Sequence, residues 1–161
     1  DATWFFMESF GVGLKYNVLS AGNNEQVTVT YDDGTQKSGL LEDNINISFC
    51  GPIASYRVLS RNMRNAFFMN VGLGYMGYKN RAVLIDPFII KGGTVGTLYE
   101  IGYDLALTDK VSLGAMLSSI SGTLTSCKTY QGGTWNEVDL ESDSYESLYH
   151  FNLSIGLRIN L

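Results

Sequence analysis

One histidine, two cysteines and a run of carboxylates are the groups from which a reactive centre could be built in this chain. His150 shares a period-two parity with Glu146, Asn152 and Ser154, so on a strand all four side chains project to one side. A base, a hydroxyl and a carboxylate on one face invite a hydrolytic reading, which requires nucleophile and base within hydrogen-bond reach. His150 and Ser154 are four positions apart, roughly 13 Å along a strand. That spacing favours an interior histidine hydrogen-bonded among Glu146 and Asn152, and the chain is expected not to be an enzyme.

Other chemistries find less support. One histidine and two distant cysteines give no metal-ligand spacing, and Asp32-Asp33-Gly34 reads as a hairpin turn before it reads as a calcium loop. Gly11-x-Gly13 and Gly72-x-Gly74 precede no helix, so neither is a phosphate loop. No cofactor is expected. Cys50 falls mid-strand and Cys127 in a loop, which defines no disulfide framework. The net charge of -5 and a pI near 4.7 leave no basic stripe for nucleic acid. The acidic excess at Glu137, Asp139, Glu141, Asp143 and Glu146 reads as a solvated loop.

Four other charges, Lys15, Glu100, Asp104 and Arg158, are more informative because each shares its strand face with glycine, serine and asparagine. Placed inside a narrow barrel they are tolerable only when paired or hydrated. The expectation is that Lys15 and Arg158 bond to Glu100 and Asp104, closing a polar lumen; an eight-stranded barrel has room only for its own side chains.

The elements that would carry these groups show a recurring period of two. Phe10, Val12, Leu14, Tyr16 and Val18 alternate with Ser9, Gly11, Gly13, Lys15 and Asn17; Phe67 to Tyr75, Val95 to Leu105 and Val111 to Leu117 repeat the pattern. A closing strand covers about 145 to 161. A soluble sheet puts lysine, glutamate and threonine on its second face, since strand glycine costs stability and packs nothing. Here that face is small, so the apolar face is expected to look outward into lipid. Only 17% of residues are charged, fewer than in an average soluble domain.

The fold class that follows is all-β: a single domain over 1–161 forming a transmembrane antiparallel up-and-down β-barrel of about eight strands. Seven are readable, beginning near Trp4, Asn24, Asn44, Asn65, Gly92, Lys110 and Tyr145, and a first ascending strand is expected before Asp1. Gly51-Pro52 suggests a bulge. Long excursions at 32–43, 80–91 and 121–144 would face the cell surface, with short turns in the periplasm. Three strand ends resemble one another, which assigns Tyr16, Tyr56 and Tyr103 to an interfacial aromatic belt. The absence of a charged-then-apolar leader implies a signal peptide removed or outside this chain. Leu84, Ile85, Phe88, Ile89, Ile90 and Trp135 are apolar loop residues that could touch partners.

The closing segment Ser154-Ile155-Gly156-Leu157-Arg158-Ile159-Asn160-Leu161 resembles the C-terminal signal read by outer-membrane assembly machinery, carried by Ser154, Gly156, Ile159 and Leu161. Together with Gly51-Pro52 before Tyr56-Arg57, Asn70-Val71-Gly72-Leu73-Gly74-Tyr75 and Lys91-Gly92-Gly93-Thr94-Val95-Gly96, the chain resembles the small eight-stranded outer-membrane β-barrel proteins of Bacteroidetes-type bacteria. The resemblance implies an outer-membrane location, contact with outer-membrane lipid and the assembly machinery, contact with other outer-membrane proteins, and a structural or partner-binding role. An accessory subunit of a transport or barrel-assembly complex is the alternative. A lipid-modifying barrel enzyme is a third, opposed by Asn152 standing where those enzymes carry the serine.

Overall fold

The computed structural model describes residues 1–30, 34–83 and 87–159, and these build one antiparallel sheet without a helix. Its strands are β1 (Ala2–Phe5), β2 (Phe10–Thr30), β3 (Gln36–Leu59), β4 (Asn65–Val83), β5 (Pro87–Ala106), β6 (Val111–Leu124), β7 (Ser126–Gln131), β8 (Thr134–Asp139), β9 (Glu146–Ser147) and β10 (His150–Ile159). The path β1-β2-β3-β4-β5-β6-β10 follows chain order, with β7 on β5, β8 on β7 and β9 on β6. In a flat sheet β2 and β5 would lie roughly 14 Å apart. Lys15 of β2 nevertheless reaches Glu100 of β5 at 2.8 Å, because the sheet curls into a half-barrel.

Three sequence expectations change. The segment from Asn24 is not a separate strand: β2 runs for 21 residues and stays paired with β3 without a break, from Phe10↔Tyr56 to Thr30↔Gln36. The alternation of Val27 and Thr28 beyond Asn24 carries the extended backbone through what looked like a turn. The excursions are therefore largely long hairpin arms, because the same alternation persists into them; β4 and β5 stay paired out to Val83↔Pro87. Gly51-Pro52 is not a bulge either. Both chains advance by three residues between Cys50↔Tyr75 and Ile53↔Gly72, so pairing with β4 lapses without an inserted residue. Proline lacks the donor N–H, and a β-carbon at Gly51 would overlap the Leu73 carbonyl on the neighbouring strand.

A real bulge lies elsewhere. Gly92 and Gly96 are four steps apart on β5, whereas Gly122 and Cys127, which they face, are five steps apart. The extra residue reverses facing, which turns Cys127 into the concave face, where it is buried. Cys50 is exposed, and both cysteines are free. β9 and β10 keep one register against β6, from Leu124↔Glu146 to Ile120↔His150, so they form one interrupted closing strand.

Side-chain polarity crosses over along the strands. Towards the turns at 60–64 and 107–110, the convex face is apolar and exposed, with Val12, Leu14, Val71, Leu73, Ile101 and Leu157. The concave face there buries Lys15, Ser55, Asn70, Glu100, Asp104 and Ser118. Towards the hairpin arms the order inverts. Phe49, Met76, Leu98, Ile120, Leu124 and Leu148 form a buried concave cluster, while Ser20, Asn46, Lys79 and Lys91 are exposed on the convex side. The interior is thus a polar layer beneath an apolar one, not polar throughout.

Glycines on the concave face are slots for particular large neighbours. A β-carbon at Gly102 would overlap the Phe68 ring, and one at Gly96 or Gly122 would meet the Met76 sulfur. Large side chains seated over missing ones are how a tight curl fills its interior at protein packing density.

Candidate functional site

The polar layer is built on one row of cross-strand partners. Ser55 of β3 stands opposite Asn70 of β4, Asn70 opposite Glu100 of β5, and Glu100 opposite Ser118 of β6. The Ser55 hydroxyl donates to Asn70 Oδ1 at 2.6 Å, and Asn70 Nδ2 donates to Glu100 Oε2 at 2.9 Å. Ser118 donates to Glu100 Oε1 at 2.7 Å, and Lys15 Nζ lies 2.8 Å from the same oxygen. Three donors thus converge on one fully buried carboxylate. Lys15 also has Asp1 at 3.8 Å and the Met116 sulfur at 4.0 Å.

Asp104 and Arg158 form a second pair nearer the short turns. Asp104 packs over Gly114, where a β-carbon would collide with its Oδ1. The Arg158 guanidinium lies 4.2 Å from the centre of the Phe68 ring, so one aromatic face supports the cation that meets Asp104. Glycine, aromatic and ion pair are one packing unit: Phe68 occupies the space over Gly102 and offers its face to Arg158.

The hydrolytic group does not assemble. His150 is half-buried, and its Nδ1 lies 3.1 Å from the Leu148 carbonyl oxygen. Glu146 and Ser154 are exposed, and Asn152 is half-buried opposite Ser118. Among the described residues, neither His150 Nε2 nor Asn152 Nδ2 has a hydrogen-bond partner. Among the described residues no group of three or more histidine, cysteine, aspartate or glutamate side chains could hold a metal ion.

The tyrosines separate into two rows. Tyr56 pairs with Phe10 across β2–β3, ring centroids 5.0 Å apart, and the Tyr103 hydroxyl donates to Asn65 at 2.8 Å. Both are at the short-turn end. Tyr16 stands opposite Cys50, itself opposite Tyr75, at the other border of the convex apolar face. A single belt of Tyr16, Tyr56 and Tyr103 is therefore replaced by two borders, because β2 ascends from Phe10 and does not end near Ser20.

Of the C-terminal group, Ser154, Gly156 and Ile159 lie exposed on β10; Leu161 is outside the described residues, as are Leu84, Ile85, Asp32 and Asp33. Phe88, Ile89 and Ile90 are half-buried on β5, with Ile90 against the apolar cluster. Trp135 packs against Tyr130 with the rings tilted and their centroids 5.1 Å apart. Ser55, Asn70 and Ser118 escaped the sequence reading. Their inward parity was visible, but only the register shows that they share a row with Glu100.

No protein-family model matches this chain, and no curated protein matches it. Geometry and sequence pattern alone therefore support the functional reading.

Proposed function

We propose that this protein is a non-enzymatic integral outer-membrane β-barrel of the small Bacteroidetes-type class, with a plugged lumen and a structural or partner-binding role. The polarity crossover carries this reading. On β5 the exposed apolar side chains extend from Leu105 to Val95, ten residues or roughly 33 Å along a strand. A barrel-like tilt of about 40° reduces that to roughly 25 Å, the height of the lipid-facing band of such barrels. Beyond the band, where the outer face turns polar and the inner face apolar, the same strands have the polarity of a water-exposed sheet, as suits hairpin arms at the cell surface. Short turns would then face the periplasm, and β10 would present the assembly signal.

Refolding tests this directly. Protein diluted from denaturant is expected to regain sheet structure in micelles or vesicles and to aggregate in plain buffer. Protease should cut the hairpin arms and spare the banded region. Folded, monodisperse protein in amphiphile-free buffer would overturn the proposal.

A second reading, a subunit of a larger outer-membrane assembly, is favoured by the two ends of the sheet path, β1 and β10, which pair with no further strand among the described residues. Six successive antiparallel pairings along the path leave those two strands running the same way. Antiparallel closure therefore needs an odd number of further strands, those beside β1 and β10 running as β2 does. Extraction in mild detergent would reveal a stoichiometric partner if a second polypeptide supplies one, and an isolated barrel if none does.

A further inference from the structure

Lys79 of β4, Lys91 of β5 and Lys128 of β7 are direct cross-strand neighbours, Lys79 opposite Lys91 and Lys91 opposite Lys128. Their β-carbons are therefore roughly 5 Å apart in a line on the convex face, an arrangement that destabilises a sheet unless an anion offsets it. The protein's own offset is small. Glu137 lies 3.6 Å from Lys128 with both side chains mostly exposed. The Lys91 ammonium sits over the Trp135 ring at 4.9 Å, and among the described residues neither Lys79 nor Lys91 has an ion-pair partner. Arg81, exposed and two residues further along β4, adds positive charge on the same face.

The three lysines border a concavity of about 580 Å³. Its floor stays low because Gly77 and Gly93 carry no side chain there; a β-carbon at Gly93 would overlap the Tyr75 hydroxyl. Tyr16, Val18 and Tyr75 line the side towards the apolar band. A cationic row thus opens onto an apolar wall, the pairing of surfaces that an amphiphile with an anionic head presents.

We infer that this concavity binds the phosphate-bearing headgroup of a membrane lipid. The phosphate would sit on the Lys79–Lys91–Lys128 row and an acyl chain would pass over Tyr16, Val18 and Tyr75 onto the band. Flexible ammonium groups suit a phosphate whose orientation varies, and basic pockets beside apolar membrane surfaces are where lipid headgroups bind. The inference rests on the membrane reading above and adds a ligand class to it.

Native mass spectrometry in neutral detergent tests it, using a phosphorylated glycolipid, the same lipid after phosphatase treatment, and inorganic phosphate as competitor. The folded protein is expected to retain the phosphorylated lipid and release the dephosphorylated one. Lys79→Gln and Lys91→Gln should each weaken retention roughly fivefold and their combination roughly thirtyfold. Sheet content should be unchanged, since both side chains are exposed. Millimolar inorganic phosphate should not displace the lipid. Equal retention of the dephosphorylated lipid, unchanged retention by the double variant, or displacement by inorganic phosphate would each overturn the inference. Failure of the membrane reading would register separately, as folding without any amphiphile.

Discussion

Lys15 and Glu100 meet at 2.8 Å although two strands intervene between those that carry them. Their side chains are 6% and 0% exposed, so Glu100 depends on Lys15 for neutralisation, and Lys15 has besides it only the more distant Asp1 among the described residues. Removing one partner of a buried pair leaves an uncompensated charge, at a cost of roughly 3–5 kcal/mol. Glu100→Ala is expected to lose about that much in a reversible unfolding titration. Lys15→Met with Glu100→Gln should recover more than half of it, since the glutamine oxygen can still accept from Asn70 Nδ2 while its amide donates to the Ser118 hydroxyl, which turns from donor to acceptor. Additive losses in the double variant would show the pair to be uncoupled.

Phe68 and Gly102 make a complementary test of packing. Gly102→Val places branches where the Phe68 ring lies, and overpacking of this kind costs roughly 1–3 kcal/mol. Phe68→Ala added to it should restore part of that loss, although it also removes the surface beneath Arg158. A Gly102→Val protein as stable as the parent would contradict the slot geometry.

The turn between β3 and β4 carries Met63 at φ 52°, a left-handed conformation costly for any residue with a β-carbon. The turn is otherwise well tied, with Ser60 N–H to the Asn65 carbonyl and Met63 N–H to the Ser60 carbonyl, both at 2.8 Å. Met63 is 68% exposed, so little packing opposes its replacement. Met63→Gly is expected to raise stability by roughly 0.5–1 kcal/mol, read as a shift in unfolding midpoint. A lower midpoint would show that the side chain, not the backbone, matters there.

Period two made the banded halves of the strands legible, because Val71, Leu73, Ile101 and Leu157 all share the facing that alternation assigns. It also put Lys15, Glu100, Asp104 and Arg158 on one face. The direction of the first long strand was not legible. The likeness of the strand ends that carry Tyr16, Tyr56 and Tyr103 suggests one shared direction, whereas the pairing makes β2 run opposite to β3 and β5. Alternation specifies facing but not direction or register. The apolar upper interior was hidden for a related reason: Phe49, Met76, Leu98 and Ile120 lie on four separate strands, and only their adjacency makes them a layer. The lysine row is legible solely through pairing, since Lys79, Lys91 and Lys128 share no local motif.

The central claim is that the convex face of the banded region meets hydrocarbon, and Val71 is the position to probe. It is 49% exposed at the middle of β4, between Phe67 and Tyr75. In water, an exposed substitution such as Val71→Arg changes stability by no more than about 0.5 kcal/mol. At the midplane of a bilayer it costs roughly 2–4 kcal/mol, falling to about 0–1 kcal/mol near the interface. Reversible unfolding from phosphatidylcholine vesicles should therefore show a loss of that size for Val71→Arg and a small one for Asn46→Arg, higher on the same face. Equal, near-zero effects at both positions would contradict the claim.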